Sequence, residues 1–190
     1  MVRTLDEPRV LRADAARNRE LILAAARHVF SEHGLDASVA EVARAAGVGK
    51  ATVFRSYPTK EHLIAAIATD GVLWVEELVT EALEEPDAWV AFEGVLAHLA
   101  RRHATDFVHL GALARDTGAP LLTEARQAAN AALGRLMARA KEQGTMRPDA
   151  TPEDLRTLFQ GVTHAMPEEE RHAAQAWARW AGLFANAFRA

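Results

Sequence analysis

The 190-residue sequence contains no cysteine, which excludes disulfide bonds, thiolate zinc sites and cysteine nucleophiles. It also lacks any apolar run of the roughly 18 to 20 residues that span a bilayer, and its first ten residues lack the apolar centre of a signal peptide. We therefore expect a cytoplasmic protein without a membrane partner. No Ser-His-Asp or paired-carboxylate arrangement suggests catalysis, so we expect neither an enzyme nor a cofactor.

Signals for β-strands are nearly absent, whereas Ala, Leu, Glu and Arg are abundant, and this composition predicts an all-α fold. The first helix is expected to follow Asp14 as N-cap and to end at Gly34. A long helix is expected to run from Thr59 toward Leu83. Near the C-terminus, Pro167 is expected to separate a helix over about 153–166, capped by Thr151, from a last helix over about 168–189. The acids at 168–170 would then complement the start of that last helix.

Charge is distributed unevenly along the chain. The formal net charge is −4, yet residues 1–60 carry ten Lys/Arg against seven Asp/Glu and the remainder carries 12 against 19. A mildly basic head on an acidic body is typical of a DNA-contacting module joined to a domain with another role. We therefore predict a DNA-binding domain over 1–60 and a second domain over 61–190.

The stretch GVGKATVFRSYPTK, residues 47–60, suggests a phosphate site of one of two kinds. A nucleotide-binding P-loop requires the pattern G-x-x-x-x-G-K-[ST] after a strand. Here Arg44 stands where the first glycine should be, Ala51 stands where the hydroxyl should be, and the preceding segment is helical by pattern. The sequence therefore argues against a nucleotide-binding enzyme.

The alternative is a helix-turn-helix. Ser38 and Glu41 form a capping-box pattern ahead of a short helix, and the glycine turn at 47–49 leads into a second one. Tyr57 precedes a proline, so this second helix must stop there. With Val53 and Tyr57 directed inward, the outward residues are expected to be Lys50, Ala51, Thr52, Phe54, Arg55 and Ser56. Such a face suits the major groove of DNA, because apolar groups contact thymine methyls and cations contact guanine edges or phosphates.

Residues 38–63, SVAEVARAAGVGKATVFRSYPTKEHL, closely resemble the helix-turn-helix of the TetR family of bacterial transcriptional regulators. The resemblance implies an all-α homodimer with an N-terminal three-helix head, joined by a long helix to a C-terminal ligand-binding and dimerisation domain. It further implies a repressor that a small molecule releases from a pseudo-palindromic operator in double-stranded DNA. A helical protein-interaction module that keeps this fold without binding DNA is the alternative.

The resemblance also assigns roles in the head. Ser38 stands at a phosphate-contacting cap and Ala40 at a base-reading position. Lys50, Ala51 and Thr52 open the recognition helix, and Ser56 stands at a frequent base-contact position. Thr59 and Lys60 stand where the long helix meets a phosphate. Phe54 replaces the usual tyrosine, so the hydroxyl that family members give to a phosphate is absent here.

A mainly apolar pocket for a small apolar or amphipathic ligand is expected in the acidic body. The residues predicted to line it are Trp74, Leu78, Phe92, Leu96, Leu99, His103, Phe107, Leu110 and Met137. Plain core packing is the alternative for such a stripe, and a buried, hydrogen-bonded histidine is the alternative for His103. A metal site is a further alternative, because His98, His103, Asp106 and His109 lie within twelve residues.

Two apolar stripes near the C-terminus predict the dimer contacts. They exceed what one side of a monomer core needs, so we expect them to form a four-helix bundle with their two-fold mates, with core packing as the alternative. The residues of this expected interface are Leu155, Phe159, Val162, Trp177, Trp180, Phe184 and Phe188.

Overall fold

The computed structural model describes residues 7–105 and 118–190, with side chains from Asp14 onward except that of Glu168. Over these residues it contains helices and no strand, which confirms the predicted fold class. In chain order the helices are α1 (Glu7–His33), α2 (Val39–Ala45), α3 (Lys50–Ser56), α4 (Lys60–Ala82), α5 (Ala88–Thr105), α6 (Pro120–Glu142), α7 (Pro152–Ala165), the 3-10 helix Glu168–Glu170, and α8 (Ala174–Phe188).

The chain forms two compact units, Met1–Ile67 and Ala68–Ala190. The sequence-based division at 60/61 falls seven residues earlier, at the first residue of α4, and α4 contributes residues to both units. Among the described residues, no helix combines the length and the apolar character that a membrane span requires.

In the first unit, α1, α2, α3 and the first turns of α4 surround a small apolar core. Each helix contributes side chains that are almost completely buried, because the apolar residues recur on one face at helical spacing. The main contributors are Ile22, Phe30, Val42, Val53, Leu63, Ile64 and Ile67.

The turn between α2 and α3 has the predicted structure. Ser38 and Glu41 form the capping box that starts α2. Gly47 has φ +66°, a left-handed conformation that side chains other than glycine rarely adopt, and it ends α2. Gly49 is the N-cap of α3 without a side-chain hydrogen bond, and Tyr57 leaves the helical region at φ −138°. The two short helices are thus set by local sequence signals.

The start of α1 differs from the prediction. The helix is already continuous at Asp14 and begins at Glu7. Pro8 does not prevent this, because a proline in the first turn removes an N–H that has no intrahelical partner. Asp14 has only a modestly unfavourable helix propensity, which good helix formers on both sides overcome.

The core of the second unit centres on α5 and α8. The helices pack through large side chains, with Phe92 of α5 in edge contact with Phe188 of α8 at 5.6 Å between ring centroids. Trp177 of α8 is completely buried, and its indole N–H donates to the backbone carbonyl of Arg171 at 2.8 Å. Without this bond, the buried indole N–H would have no hydrogen-bond partner.

The connection from α4 to α5 is held by side chains of α6. The guanidinium of Arg139 donates to the carbonyls of Leu83 at 2.6 Å and Glu85 at 2.7 Å, and Gln143 donates to Pro86 at 2.9 Å. The side-chain amide oxygen of Gln143 in turn accepts from the N–H of Ala88 at 2.9 Å. Because these bonds satisfy backbone groups at both helix ends, they fix where α4 stops and α5 starts.

The last helix begins later than predicted. Glu168–Glu170 form a separate 3-10 helix, and α8 starts at Ala174, so these acids do not occupy its first turn. Two side-chain bonds to the backbone span the break: Arg171 donates to the carbonyl of Met166, and its own carbonyl accepts from Trp177. By contrast, the predicted cap of α7 is confirmed, with Thr151 and Asp154 in a capping box.

We predict that Trp177→Phe destabilises the protein by about 1–3 kcal/mol, because it leaves a cavity and an unpaired Arg171 carbonyl. Urea unfolding followed by circular dichroism measures the change. Arg179→Ala, an exposed position on the same helix, serves as control and should change stability by less than about 0.5 kcal/mol. Equal effects of the two substitutions would contradict the role given to Trp177.

Candidate nucleic-acid interface and ligand pocket

Helix α3 presents most of the predicted outward residues. Lys50, Ala51, Phe54 and Arg55 are exposed. Thr52 and Ser56, two further members of the predicted face, are half-buried. Val53 is the residue of this helix that holds it to the head, with 1% of its surface exposed. The remaining side chains form a small surface with two cations, two hydroxyls and one aromatic ring.

Phe54 is the most unusual member of this surface. Its side chain is 45% exposed, which is unusual for a large apolar group. An exposed ring on a seven-residue helix suits contact with a thymine methyl or a sugar better than it suits water. Its neighbour Arg55 is oriented along the helix by a hydrogen bond to the Thr52 hydroxyl at 3.3 Å.

The hydroxyl of Ser38 is engaged within the head. It donates to the carboxylate of Glu41 at 2.7 Å and accepts from the Glu41 N–H at 3.3 Å. The backbone and hydroxyl bonds from Ser38 hold the pKa of the Glu41 carboxyl below its usual range. Because a serine has one O–H donor, Ser38 cannot give a second hydrogen bond to a phosphate while this capping box is intact. Ala40, the other predicted contact of α2, is half-buried in its first turn.

The start of α4 is capped in a similar way. Thr59 is exposed, and its hydroxyl accepts from the N–H of His62 at 3.3 Å and lies 2.9 Å from the ring nitrogen Nδ1 of that residue. A hydrogen bond from Thr59 is also the main reason that the pKa of Glu61 is lowered. The ammonium of Lys60 lies 5.9 Å from the ring centre of Phe30. Lys60, the cation expected to contact a phosphate, therefore lies next to Phe30 of the head core.

Sequence reasoning did not single out Arg19 as part of this region. Its guanidinium lies 5.3 Å from the ring centre of Tyr57, and its carbonyl accepts from the Tyr57 hydroxyl at 3.4 Å. Arg19 is exposed on α1, next to the residue that ends α3. Nothing in the sequence distinguishes Arg19 from the several other arginines near the N-terminus.

The second unit contains a cavity of about 590 Å³. Its apolar wall comes from α4, α5, α6 and α7. The wall residues are Val72, Val75, Leu99, Leu133, Leu155 and Phe159. Polar groups also border it, namely His103, Arg126, Asn130, Gln160, Thr163 and His164, together with the ion pair of Glu153 and Arg156. A mainly apolar cavity with a few polar groups has the composition of a small-molecule site.

His103 is part of this lining and is held in one orientation. Its ring lies 4.8 Å from those of Phe159 and Trp177, centroid to centroid. Its Nδ1 lies 2.7 Å from the carbonyl of Leu99, and because a carbonyl only accepts, this nitrogen carries a hydrogen. The histidine is thus partly a structural residue and partly a wall of the cavity.

The predicted pocket residues divide into three groups. Leu99 and His103 line the cavity. Phe92, Leu96 and Met137 are buried in the core, Trp74 and Leu78 pack against that core, and none of these five borders the cavity. Phe107 and Leu110 lie outside the described residues. The cavity therefore lies nearer to α6 and α7 than the sequence predicted, since a periodic stripe does not show which buried residues border a void.

Most of the predicted dimer residues are buried within a single chain. Leu155, Phe159, Trp177, Phe184 and Phe188 are between 0% and 7% exposed in a single chain. They belong to the core of that chain and leave little surface for a partner. Val162 and Trp180 are partly buried at its edge. Dimerisation itself stays a prediction, and of the predicted contacts Val162 and Trp180 remain available to a partner.

The histidines of the proposed metal cluster are engaged with backbone. His98 bonds to the carbonyl of Gly94 at 2.8 Å, as His103 does to that of Leu99. Asp106 and His109 lie outside the described residues. Within the part of the chain that the structure describes, no group of three His, Asp or Glu side chains is arranged to hold a metal ion.

Comparison with known families agrees with this architecture. The model for bacterial regulatory proteins of the tetR family matches residues 22–67, and the model for the C-terminal domain of SbtR-like transcriptional regulators matches residues 72–186. The chain belongs to the TetR family of bacterial transcriptional regulators. The first match covers the predicted helix-turn-helix, and the second covers most of the unit that contains the cavity.

Individual relatives support the TetR assignment. A TetR regulatory protein from Mycobacterium vanbaalenii is 30% identical with a TM-score of 0.62, covering 95% of this chain and 99% of that one. The TetR regulator SCO0520 from Streptomyces coelicolor is 31% identical with a TM-score of 0.62, covering 90% and 98%. The HTH-type transcriptional repressor LfrR of Mycolicibacterium smegmatis is 39% identical over 71 residues. That match covers 37% of this chain and only 35% of LfrR.

Phe54→Tyr is predicted to tighten duplex DNA binding roughly fivefold, because one hydrogen bond to a phosphate contributes about 1 kcal/mol. Fluorescence anisotropy with labelled DNA from upstream of the protein's own gene measures the change. Phe54→Leu, which shortens the apolar group without adding a hydroxyl, is the control and should not tighten binding. Unchanged affinity in Phe54→Tyr would show that this position does not face a phosphate.

Proposed function

We propose that this TetR-family regulator is a homodimeric repressor that leaves its operator when a small molecule binds in the second unit. The proposal rests on the position of helix α4 in the sequence. Helix α4 begins at Lys60, beside the recognition helix, and its residues Val72 and Val75 line the cavity. One continuous helix thus contributes residues to both sites. As an operator-binding protein it would act in the cytoplasm and would catalyse no reaction.

The DNA contacts follow from the exposed groups of the head. The side chains of α3, with Phe54 at the centre, would enter the major groove, as the second helix of a helix-turn-helix does. Lys60 and Arg19 would contact phosphates on either side. Two heads of a symmetric dimer would read half-sites about 34–36 Å apart, one helical turn of DNA.

Release by ligand requires a difference in affinity. A ligand shifts the equilibrium only if it binds the DNA-free conformation more tightly than the DNA-bound one. At 1.5 Å per residue, Val72 and Val75 lie about 18 and 23 Å along α4 from Lys60. In this proposal, a change at the cavity wall reaches the phosphate-contacting start of α4 through the helix that both sites share.

For the dimer we propose the outer faces of α7 and α8. Leu158 and Val162 lie four residues apart on α7, and Trp180 and Leu183 lie three apart on α8, so each pair shares a helix face. The first three are partly buried at the edge of the core, and Leu183 is 44% exposed. A second copy of this chain would cover these apolar groups in a four-helix bundle.

The alternative function, an interaction module that binds no DNA, is tested by the same duplex-binding assay. Saturable binding that weakens as salt rises supports the regulator, because DNA binding releases counterions. No binding at low salt would favour the interaction module.

Lys60→Ala should weaken binding to all duplexes and reduce the slope of log affinity against log salt by about one unit, because one phosphate contact is lost. Lys50→Ala should instead change the preference among operator variants. Anisotropy titrations at several salt concentrations measure both effects. Unchanged binding by Lys60→Ala would rule out its role as a phosphate contact.

Leu183→Glu should convert the dimer to a monomer at micromolar concentration, because it places an unpaired charge in an apolar interface. Analytical ultracentrifugation measures the state. Ala178→Glu adds a charge at an exposed position about 140° around α8 from Leu183 and should leave the dimer intact. A Leu183→Glu protein that stays dimeric would exclude this face as the interface.

A further inference from the structure

Residues 7–21 of α1, here called the α1 extension, precede the part of the helix that packs in the head. The first buried side chain of α1 that the structure describes is that of Ile22. Over residues 14–21 every side chain is exposed except that of Asn18, which is half-buried. Because helices in proteins depend on packing for most of their stability, a helical segment with so little of it suits a surface that binds a partner.

The charges of the α1 extension are separated by sign around the helix. Arg12 and Arg19 are seven residues apart, close to two full turns, and Arg9 lies three residues before Arg12. By helical register these three positions fall within about 80° of the circumference. Glu7 and Asp14 occupy positions roughly 140–160° from Arg12. One side of the extension, the arginine side, therefore carries most of its positive charge.

Arg19 joins this arginine side to the DNA-binding surface. Its guanidinium lies 5.3 Å from the ring centre of Tyr57, the residue at which α3 ends, and its carbonyl accepts from the Tyr57 hydroxyl. Glu20 is exposed next to it, at the end of the extension nearest the core. Arg12 and Arg9 lie about 10 and 15 Å further along the helix axis. The basic surface thus continues beyond the end of the recognition helix.

We propose that the arginine side of the α1 extension binds phosphates of double-stranded DNA outside the half-site that α3 reads. This inference rests on the proposed function, in which the head binds an operator. It adds a flanking stretch of duplex to the site. A reach of about 15 Å corresponds to roughly four base pairs at 3.4 Å each.

Phosphate is the partner that the groups on this side fit. Guanidinium groups bind phosphate through paired N–H donors, and such contacts position a protein on DNA without reading its bases. Ala16 lies on the same side between Arg12 and Arg19, and its exposed small side chain permits close approach of the helix to a DNA backbone. Leu21, the exposed large apolar residue of the extension, lies about 160° around the helix from Arg19. The arginine side therefore has the polarity of a nucleic-acid surface and lacks the apolar groups that a protein interface would bury.

Two duplexes of different length test the proposal on the full-length protein. Base substitutions in DNA from upstream of its own gene first define the half-sites, since only the positions read through base edges respond to sequence. One duplex then ends at the outer edges of the half-sites, and the other has about eight further base pairs of arbitrary sequence at each end. We expect the longer duplex to bind at least about fivefold more tightly, whatever the flanking sequence, because it supplies additional phosphates. Equal affinity for the two duplexes would overturn the proposal.

Variants assign the effect to the arginine side. Arg12→Gln should weaken binding to the longer duplex about fivefold and lower its salt slope by about one unit for each head, and should change binding to the trimmed duplex less than twofold. Arg12→Lys should keep most of the affinity, because the charge remains. Arg17→Gln removes the same charge from an exposed position about 160° around the helix from Arg19 and should change neither duplex more than twofold.

Circular dichroism confirms that each variant keeps its helix content. Equal weakening by Arg12→Gln on both duplexes, or equal effects of Arg12→Gln and Arg17→Gln, would overturn the proposal. The same titrations separate this inference from the proposed function. No saturable binding of either duplex by the unsubstituted protein would contradict both, whereas operator binding that is insensitive to duplex length and to Arg12 would contradict this inference alone.

Discussion

The packing of the second unit depends on the burial of Trp177. Its indole ring is completely buried, and its N–H donates to the carbonyl of Arg171. Arg171 lies in the non-helical segment between the 3-10 helix and α8. The His103 ring lies 4.8 Å from the rings of Trp177 and Phe159, and the Phe159 ring lies 4.9 Å from that of Phe184, centroid to centroid. Because His103 and Phe159 also line the cavity, the shape of the ligand site is determined by the same contacts that stabilise the core.

Local signals in the sequence predicted local structure well. The bounds of α3, the capping box at Ser38, the cap at Thr151, and the end of the recognition helix at Tyr57 are all as expected, because each depends on residues within a few positions of one another. The resemblance to the TetR family likewise depended on one contiguous stretch, and the family models confirm it.

The differences concern which side chains cover an apolar face and which side chains bond to the backbone. The stripe from Phe159 to Phe188 showed that an apolar face exists, but periodicity does not show whether the same chain or a partner covers it. The start of α8 at Ala174 depends on bonds made by Arg171 and Trp177, which no local pattern predicts. The cavity likewise depends on how four helices leave a space between them, and Arg126 had no signal in the sequence beyond its charge.

Helix α3 has one further property that bears on how it binds. It is seven residues long, it has no side-chain cap at Gly49, and Val53 is its one fully buried side chain. Helices this short are marginal unless packing stabilises them. Its amide hydrogens should therefore exchange with solvent sooner than those of α1, through local opening of the turn. Part of the free energy of DNA recognition would then be used to order the reading helix, which allows the same surface to adjust to operators that differ in detail.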